Sequence, residues 1–380
     1  MTQADPSRTV PSHPRPPEQR AASPEPPSGG ALGDRLVAAV IGAFETAAVD
    51  LGARLGWYRA LADAAATPPE LAARTGSDAR YAREWLEQQA VAGYLTVDDV
   101  AAAPDVRRYT LPEEHRAVLV DELDPAFAAP LARAAMAFTR NVPRLAEVYR
   151  TGDGLSWAEM GSDAREAQAG ANRPFFAGPL VTEVLPAIPA VDAVLRAGGR
   201  VADVGCGFGW SALGIAGGYP AARVDGFDVD APSIEAARRN AVDAGLDGRA
   251  RFTVADVGTL AGERAYDLVA AFECVHDMPD PVAVLAAMRA MVRPGGTVLV
   301  VDEKVADTFT APGDEVERLM YGYSLTCCLP DGRSTTPSVA TGTVMRPAVL
   351  EGYARAAGFS GLEVLPVEHD VFRFYRLVHG

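Results

Sequence analysis

Val201-Ala-Asp-Val-Gly-Cys-Gly-Phe-Gly209 is the stretch that decides the fold of this chain. An apolar run, residues 200–204, leads into three glycines at alternate positions, and a helix-compatible run, residues 210–217, follows at once. A strand that turns through glycines into a helix places free backbone N–H groups at the carboxyl edge of a sheet, where open α/β sheets bind their ligands. The stretch therefore predicts an α/β fold with a ligand site at this turn.

The spacing of the glycines disfavours a dinucleotide as that ligand. The dinucleotide fingerprint is G-x-G-x-x-G, whereas the third glycine here comes one residue early. Asp203 also stands two residues before the first glycine. Its carboxylate would repel a pyrophosphate and attract a ligand that carries an ammonium group. A ligand with a positively charged end is therefore favoured.

Further strands follow the glycine turn in the order that a doubly wound sheet requires. The next strand, residues 223–229, contains Asp228, which lies about 20 residues beyond the turn, where an acidic residue can accept ribose hydroxyls. Asp256 follows the strand at residues 250–255. Later strands are expected at residues 266–272, 297–301, 362–367 and 372–378. We expect seven strands and a nucleoside-bearing ligand.

The glycine turn closely resembles the first motif of class I S-adenosylmethionine-dependent methyltransferases. Arg293-Pro-Gly-Gly296 before an apolar strand is also typical of that family. The resemblance covers residues 200–380 by motif, and it implies a seven-stranded Rossmann-like sheet with S-adenosylmethionine as the cofactor. In the family pattern, an Asp at position 256 reaches the adenine amine and the next residue packs on the ring. The implied donor-binding residues are Asp203, Gly205, Cys206, Gly207, Gly209, Asp228, Val229, Asp256, Val257 and Glu273.

His276 is the residue most suited to proton transfer, because it directly follows the fourth strand of this sheet. An unperturbed pKa of about 6.5 would leave its imidazole neutral at working pH. Val275-His-Asp-Met278 resembles the Leu-His-Asp-Trp segment of plant and bacterial O-methyltransferases, whose His is the general base; Met278 replaces the Trp. The resemblance implies His276 as base, Asp277 beside it, and Glu303, with its neighbour Asp302, as the group that orients it.

Other interpretations of His276 stay open at the sequence level. It could be a structural histidine at a strand end. It could also join Asp277 and a distant carboxylate around a divalent ion, although sequence alone cannot assemble the several oxygen ligands that a hard metal needs. We expect no metal, and we favour oxygen as the methyl acceptor. Methylation of carbon, at an enolate or an electron-rich alkene, is the chemical alternative.

The N-terminal part divides into a tail and a helical domain. Residues 1–30 are polar and rich in proline, which predicts a disordered tail. Residues 31–120 show helix, turn, helix and two short strands, which predicts a winged-helix domain. Such a domain either binds DNA or mediates dimerisation, as the similar region does in small-molecule O-methyltransferases. Its surface is not basic, and phosphate neutralisation dominates DNA affinity, so we expect a homodimer rather than a ligand-sensing transcriptional regulator.

Two further segments are expected to shape the acceptor site. Residues 121–199 are mostly helical and should roof the active site, and residues 305–345 form an insertion against that roof. A core role is an equal alternative for any one of the aromatic residues. The expected pocket residues are Trp157, Asn172, Arg173, Phe175, Phe176, Tyr321, Ser324 and Cys328.

The composition limits the partners. The chain has 380 residues and a net charge of −15, which argues against a large nucleic-acid footprint. Its four cysteines are scattered without zinc-site spacing. The N-terminus lacks an apolar signal core, and the sequence has no run of about 18 apolar residues, so we expect neither secretion nor a membrane span. We therefore expect a cytoplasmic enzyme that acts on a small molecule, without nucleic acid or membrane as a partner.

Overall fold

The computed structural model describes residues 29–260 and 264–380. The expected disordered tail falls almost wholly on residues 1–28, outside the described part. The N-terminal domain combines five helices with a two-stranded wing in that part. The helices are α1 (Gly29–Arg54), α2 (Trp57–Asp63), α3 (Pro68–Thr75), α4 (Ala79–Val91) and α5 (Glu113–Leu119), and the wing pairs β1 (Thr96–Val97) with β2 (Tyr109–Thr110) in antiparallel fashion.

Local sequence explains where the winged-helix elements begin. Thr67 caps α3. Its side chain accepts a hydrogen bond from the backbone N–H of Glu70, and the Glu70 carboxylate accepts one from the backbone N–H of Thr67. Asp78 caps α4 by accepting the backbone N–H groups of Arg80 and Tyr81. Trp57, Tyr58 and Trp85 pack together in the core of this domain. The predicted winged-helix domain is therefore present.

A helical layer connects this domain to the sheet. It contains α6 (Ala129–Thr139), α7 (Val142–Thr151), α8 (Trp157–Met160), α9 (Ser162–Ala177), a π-helical turn at Leu180–Val184, and α10 (Pro189–Arg196). Helix α9 lies directly on the first helix of the sheet domain, since a Cβ on Gly214 would come within 2.0 Å of the Phe176 carbonyl oxygen. The segment 121–199 is mostly helical as expected, although residues 180–196 form the π-helical turn and then α10 rather than one continuous helix.

The carboxyl-terminal domain is built on a seven-stranded sheet. Its strands are β3 (Arg200–Val204), β4 (Arg223–Asp228), β5 (Ala250–Val254), β6 (Tyr266–Phe272), β7 (Val292–Glu303), β8 (Gly361–Val364) and β9 (Phe372–Val378). Helices on its two faces are α11 (Trp210–Gly218), α12 (Ala231–Asp243), α13 (Pro281–Met291) and α16 (Pro347–Ala356). The strand order is β5-β4-β3-β6-β7-β9-β8, with β9 antiparallel to both of its neighbours.

The strand order creates the crevice in which the site lies. From β3 the chain moves outward to β4 and β5, and it then returns to place β6 on the other side of β3. This reversal is the switch point where open α/β sheets bind ligands outside the carboxyl ends of their strands. The ends of β3, β4, β6 and β7 therefore face one crevice.

The insertion after β7 is more helical than its sequence indicates. Helix α14 (Glu315–Tyr323) continues through a π-helical turn at Ser324–Cys328 into α15 (Leu329–Gly332). Helical structure in the insertion therefore runs from residue 315 to residue 332. Strand β7 is also longer than the expected residues 297–301, because it includes the Arg-Pro-Gly-Gly turn and extends to Glu303.

Helix α1 carries an apolar face that the described residues, 29–260 and 264–380, leave exposed. By length and composition it could cross a membrane, contrary to the prediction that no run of the sequence could do so. Only 17% of its most apolar window is buried. The exposed residues include Leu36, Val40, Ile41 and Phe44. Length and apolar character alone do not establish a membrane span, because the core helix of a soluble protein can have both.

Candidate active site

The glycine turn has the open backbone expected of a ligand site. Gly205, Gly207 and Gly209 all have positive φ, which favours glycine at each position. A Cβ on Gly205 would lie 2.7 Å from the Cys274 sulfur, whereas a Cβ on Gly207 would meet no atom within 4 Å. Cys206, in contrast, is buried. The turn is therefore closed against β6 at Gly205 and open at Gly207.

Asp228 ends β4 beside this turn. One of its carboxylate oxygens accepts the Gly207 N–H at 2.8 Å, and the other accepts the Asp230 N–H at 2.8 Å. Burial raises the pKa of Asp228, and the two N–H bonds oppose that rise. Val229 follows it and is 69% exposed. The sequence-predicted ribose group thus lies within hydrogen-bonding distance of the glycine turn.

Asp256 and Val257 end β5 at the same edge. The Asp256 carboxylate accepts the Gly258 N–H at 2.9 Å and caps a short 3₁₀ turn, Val257–Thr259. Asp256 is exposed, while Val257 is buried against the domain core. Their suggested contacts with adenine stay a prediction.

Asp203 is more deeply buried than Asp228 and Asp256. Its side chain is buried at the end of β3, where the Ser211 hydroxyl donates to Oδ2 at 2.5 Å. The other oxygen, Oδ1, is buried and has no hydrogen-bond partner among the described residues. Burial raises the pKa of Asp203 to about 7, although the Ser211 bond opposes the rise. A cationic group next to Oδ1 would favour the ionised form.

His276 is held between carboxylates at the ends of β6 and β7. It lies in a 3₁₀ turn, Val275–Asp277, and only 2% of the residue is exposed. Nδ1 lies 2.9 Å from Asp302 Oδ1 and 3.2 Å from Glu303 Oε2, and Nε2 lies 3.4 Å from Asp277 Oδ1. The structure therefore brings together all the residues proposed for the proton transfer.

The charges in this cluster change the expected protonation of His276. Burial opposes the imidazolium, but the carboxylates of Asp302, Glu303 and Asp277 outweigh it and raise the pKa of His276 well above its ordinary value. Burial also opposes ionisation of Glu303, yet His276 and Asp302 lower the pKa of that carboxyl to about 2. The pKa of Asp302 is raised by burial. The sequence-based expectation of an unperturbed, neutral imidazole is thus wrong for this arrangement.

Glu273 adopts strained backbone geometry directly after β6. Its φ is 52°, a value that non-glycine residues rarely adopt and that often marks a functional site. The side chain of Asn172 on α9 lies close to its carboxyl group, while the Oε1 atom is buried without a hydrogen-bond partner among the described residues. Burial, with the nearby charge of Glu303, raises the pKa of Glu273 well above its ordinary value. Asn172 therefore joins the roof to the crevice.

Cys328 closes the other side of the cluster. It is buried in the π-helical turn, and its thiol lies within 4.8 Å of the nearest ligand atoms of Asp277 and His276. Hydrogen bonding to Cys327 and burial raise the pKa of Cys328 well above its ordinary value, so the group is a neutral thiol at neutral pH. Of the predicted pocket residues, Cys328 is the one in contact with the catalytic candidates.

The remaining predicted pocket residues are spread over several environments. The Trp157 N–H donates to Asp331 Oδ1 at 2.7 Å. Arg173 stacks on Trp210 and pairs with Glu122 at 2.6 Å, next to a cavity of about 350 Å³ between the N-terminal and sheet domains. Two other predicted pocket residues belong to the core: Phe175 packs on His369 and Phe372, and Phe176 packs on Phe272. Tyr321 on α14 is exposed, and Ser324 is buried.

Two groups of side chains in the described residues have the spacing of metal ligands. One combines His276 with Asp277 and Cys328, and the other combines His276 with Asp302 and Glu303; within each group the ligand atoms lie within 4.8 Å of one another. Both groups share His276. A metal held by the first group would occupy Nε2, the nitrogen needed for proton transfer. A metal held by the second would occupy Nδ1, which Asp302 and Glu303 orient.

Comparison with other proteins identifies the domains. Residues 201–296 match the methyltransferase-domain family, and residues 43–121 match the Rv2258c-like winged HTH domain. The chain contains a methyltransferase domain. The predictions of a class I methyltransferase fold and of an N-terminal winged helix are therefore confirmed.

Individual relatives agree with this assignment. The ubiquinone biosynthesis O-methyltransferase of Bordetella avium (strain 197N) is 38% identical over 103 residues, which are 27% of this chain and 41% of that protein. The chain thus spans less than half the length of that curated relative. The mitomycin 7-O-methyltransferase MmcR has a TM-score of 0.66 at 20% identity, covering 92% of this chain and 98% of its own. Human N-acetylserotonin methyltransferase, in complex with SAM, has a TM-score of 0.69 at 17% identity, covering 95% and 100%.

Several residues of the methyltransferase domain and its roof were missed by sequence reasoning. Ser211 bonds Asp203, Asp331 bonds the Trp157 backbone, and Arg165 on α9 pairs with Asp230. Ser211 follows the glycine motif directly and could have been chosen as a capping residue. Asp331 stands in a sequence typical of a loop, and Arg165 stands in the sequence of a polar helix. Nothing in either sequence identifies the residue as part of the site.

Proposed function

We propose that this chain transfers the methyl group of S-adenosylmethionine to an oxygen of a small-molecule acceptor, with His276 as the general base. The observation that carries the proposal is the fixed imidazole of His276, with Nδ1 on Asp302 and Glu303 and Nε2 directed toward Asp277 and Cys328. The names of the relatives support oxygen as the acceptor atom. The human structure supports S-adenosylmethionine as the donor.

The residues at the crevice suit such a donor. Gly207 leaves room for a ligand against the backbone, and Asp228 offers a carboxylate for the ribose hydroxyls. Asp203 Oδ1 and Glu273 Oε1 are buried carboxylate oxygens without partners among the described residues, and they suit the positive charge of the donor. When bound, the donor supplies a methyl group on a positively charged sulfur. The protein aligns the acceptor oxygen with that methyl carbon.

His276 would remove the acceptor proton in this scheme. The acceptor O–H donates its proton to Nε2, and the resulting imidazolium is stabilised at Nδ1 by Glu303 and Asp302. The same carboxylates hold a proton on His276 in the free protein, because they raise the pKa of the imidazole. His276 must therefore release that proton before the acceptor is deprotonated. Asp277 and Cys328 border the side from which the acceptor approaches.

Removal of divalent ions should not change activity under this proposal. We expect EDTA treatment, followed by gel filtration, to leave the initial rate within about twofold of that of the untreated enzyme, because His276 acts as a base without a metal. The measurement is release of S-adenosylhomocysteine with an accepted hydroxylated substrate. Complete loss of activity, with recovery on adding one divalent ion, would instead support a metal at His276 and would make an enolate-type acceptor the better proposal.

The winged helix is proposed to mediate dimerisation rather than DNA binding. The two arginines of α4 are balanced by carboxylates: Arg80 pairs with Glu84, and Arg83 with Asp105. The helix therefore offers no net positive charge to phosphates. Burying the apolar face of α1 against a second copy would remove its large side chains from water. A dimer interface would explain the exposed apolar face of α1 without a membrane. We therefore propose a cytoplasmic homodimer.

A double substitution on this face tests the dimer. We expect Leu36→Glu/Phe44→Glu to shift the protein from dimer to monomer, with a dimer dissociation constant at least ~100-fold higher, since each buried apolar side chain contributes about 1.5–3 kcal/mol. Light scattering after size-exclusion chromatography measures the mass. Val91→Glu is the matched control, because Val91 is 89% exposed at the end of α4 and should leave the dimer intact. A monomeric wild type would contradict the proposal.

A further inference from the structure

Arg165 ties the roof helix to the loop that follows β4. Its Nε donates to Asp230 Oδ2 and its Nη2 to Asp230 Oδ1, both at 2.7 Å. Each of the two side chains is only 11% exposed. Bidentate pairs of arginine and carboxylate fix orientation as well as distance. The first turns of α9 are therefore held at a defined position over the donor crevice.

Asp230 passes this constraint to Asp228. Its carboxylate also accepts from the backbone N–H and the hydroxyl of Ser233, so its position is fixed on both sides. Its backbone N–H donates to Asp228 Oδ1, and Asp228 Oδ2 accepts the Gly207 N–H. A continuous chain of hydrogen bonds thus runs from Arg165 on the roof to the glycine turn.

Arg165 also balances the charge around Asp228. The groups that face Asp228 are Asp203 from β3, Cys206 from the glycine turn, Asp230 from its own loop and Arg165 from α9. Burial raises the pKa of Asp228, and the charge of Asp230 raises it further. Arg165 is the cation in this group, and its own pKa is raised by the bond to Asp230 and by the charge of Asp228. By reciprocity it favours the ionised form of Asp228.

We infer that Arg165 is a positioning residue for the methyl donor: through Asp230 it orients Asp228 and holds the roof closed over the donor. The inference rests on the proposed function, in which Asp228 accepts the ribose hydroxyls. Arg165 acts through Asp230 and Asp228 rather than on the reacting atoms. Its loss should therefore weaken donor binding more than it slows methyl transfer at saturating donor.

Calorimetric titration with S-adenosylhomocysteine tests the inference on the full chain. We expect Arg165→Gln to raise the Kd at least tenfold at pH 8, and to raise it further at pH 6, because Asp228 is then protonated more readily. Arg165→Lys restores the charge without the bidentate geometry and should recover part of the affinity. Arg355→Gln, which removes an exposed pair with Glu351, is the control and should leave the Kd unchanged.

The outcomes separate this inference from the proposed function. If the wild type binds S-adenosylhomocysteine and Arg165→Gln binds it equally well, the positioning role is overturned while the donor site stands. If the wild type fails to bind it, the proposed function itself fails. If Arg165→Gln does not fold, Arg165→Lys decides: reduced affinity at an unchanged melting temperature supports the inference, and unchanged affinity overturns it.

Discussion

Replacing His276 by alanine is expected to lower kcat by roughly 10²–10⁴-fold, the contribution that a well-placed general base usually makes. The affinity for S-adenosylhomocysteine should change by no more than about twofold, because the substitution removes the base and leaves the glycine turn and Asp228 in place. Turnover is measured as release of S-adenosylhomocysteine with a hydroxylated acceptor that the wild type accepts. His115→Ala is the matched control, since His115 bonds the Tyr94 carbonyl oxygen in the winged-helix domain.

The pH dependence of kcat gives this prediction a second readout. The carboxylates around His276 raise its pKa, so the imidazole stays protonated to a higher pH. The neutral form that can act as a base appears only above this raised pKa. The rate of the wild type should therefore rise with pH, with an apparent pKa above 6.5. Glu303→Gln removes the carboxylate with a pKa of about 2 and should move this rise to lower pH. A flat profile, or full turnover by His276→Ala, would leave His276 with a structural role only.

Replacing Asp228 by alanine is expected to weaken binding of S-adenosylhomocysteine by about 100-fold or more. Hydrogen bonds to a charged group contribute about 1.5–3 kcal/mol each, and two ribose hydroxyls would lose their shared acceptor. The same substitution also frees the N–H groups of Gly207 and Asp230. Calorimetry measures the affinity, and the melting temperature of the free protein reports any general loss of stability.

A matched change on the same strand separates the loss of the ribose acceptor from a general loss of stability. Asp225 also lies on β4, but its carboxylate bonds Arg200 and the Tyr266 hydroxyl rather than the glycine turn. Asp225→Asn should retain the wild-type affinity. If Asp228→Ala also retained it, the assignment of the ribose site would be wrong, even if the fold and the methyltransferase domain were intact.

Sequence predicted the central part of this architecture because its constraints are local. The glycines at 205, 207 and 209 require positive φ, and strands β3, β6 and β9 have the bounds expected from their apolar runs. Asp203 and Asp228 lie at the carboxyl ends of β3 and β4, so topology alone brings them to one edge. The same logic placed His276 at the end of β6 and Glu303 at the end of β7.

The features that sequence did not predict depend on tertiary contacts. The π-helical turns at Leu180–Val184 and Ser324–Cys328 have no local sequence pattern that distinguishes them from α-helix. The contact between Arg165 and Asp230 joins residues that are 65 positions apart. The raised pKa of His276 depends on three carboxylates that only the folded sheet gathers. Phe175 and Phe176 are predicted as pocket residues from their aromatic character. Aromatic character does not distinguish pocket residues from core residues, and both side chains lie in the core.

The most direct test of the proposed reaction is transfer of labelled methyl groups from S-adenosylmethionine to a mixture of hydroxylated small molecules, with wild type and His276→Ala compared at equal donor saturation. Our proposal predicts label in an O-methyl ether product from the wild type and a loss of at least ~100-fold in the variant. Label attached to carbon, or equal transfer by the two proteins, would contradict oxygen methylation with His276 as the base.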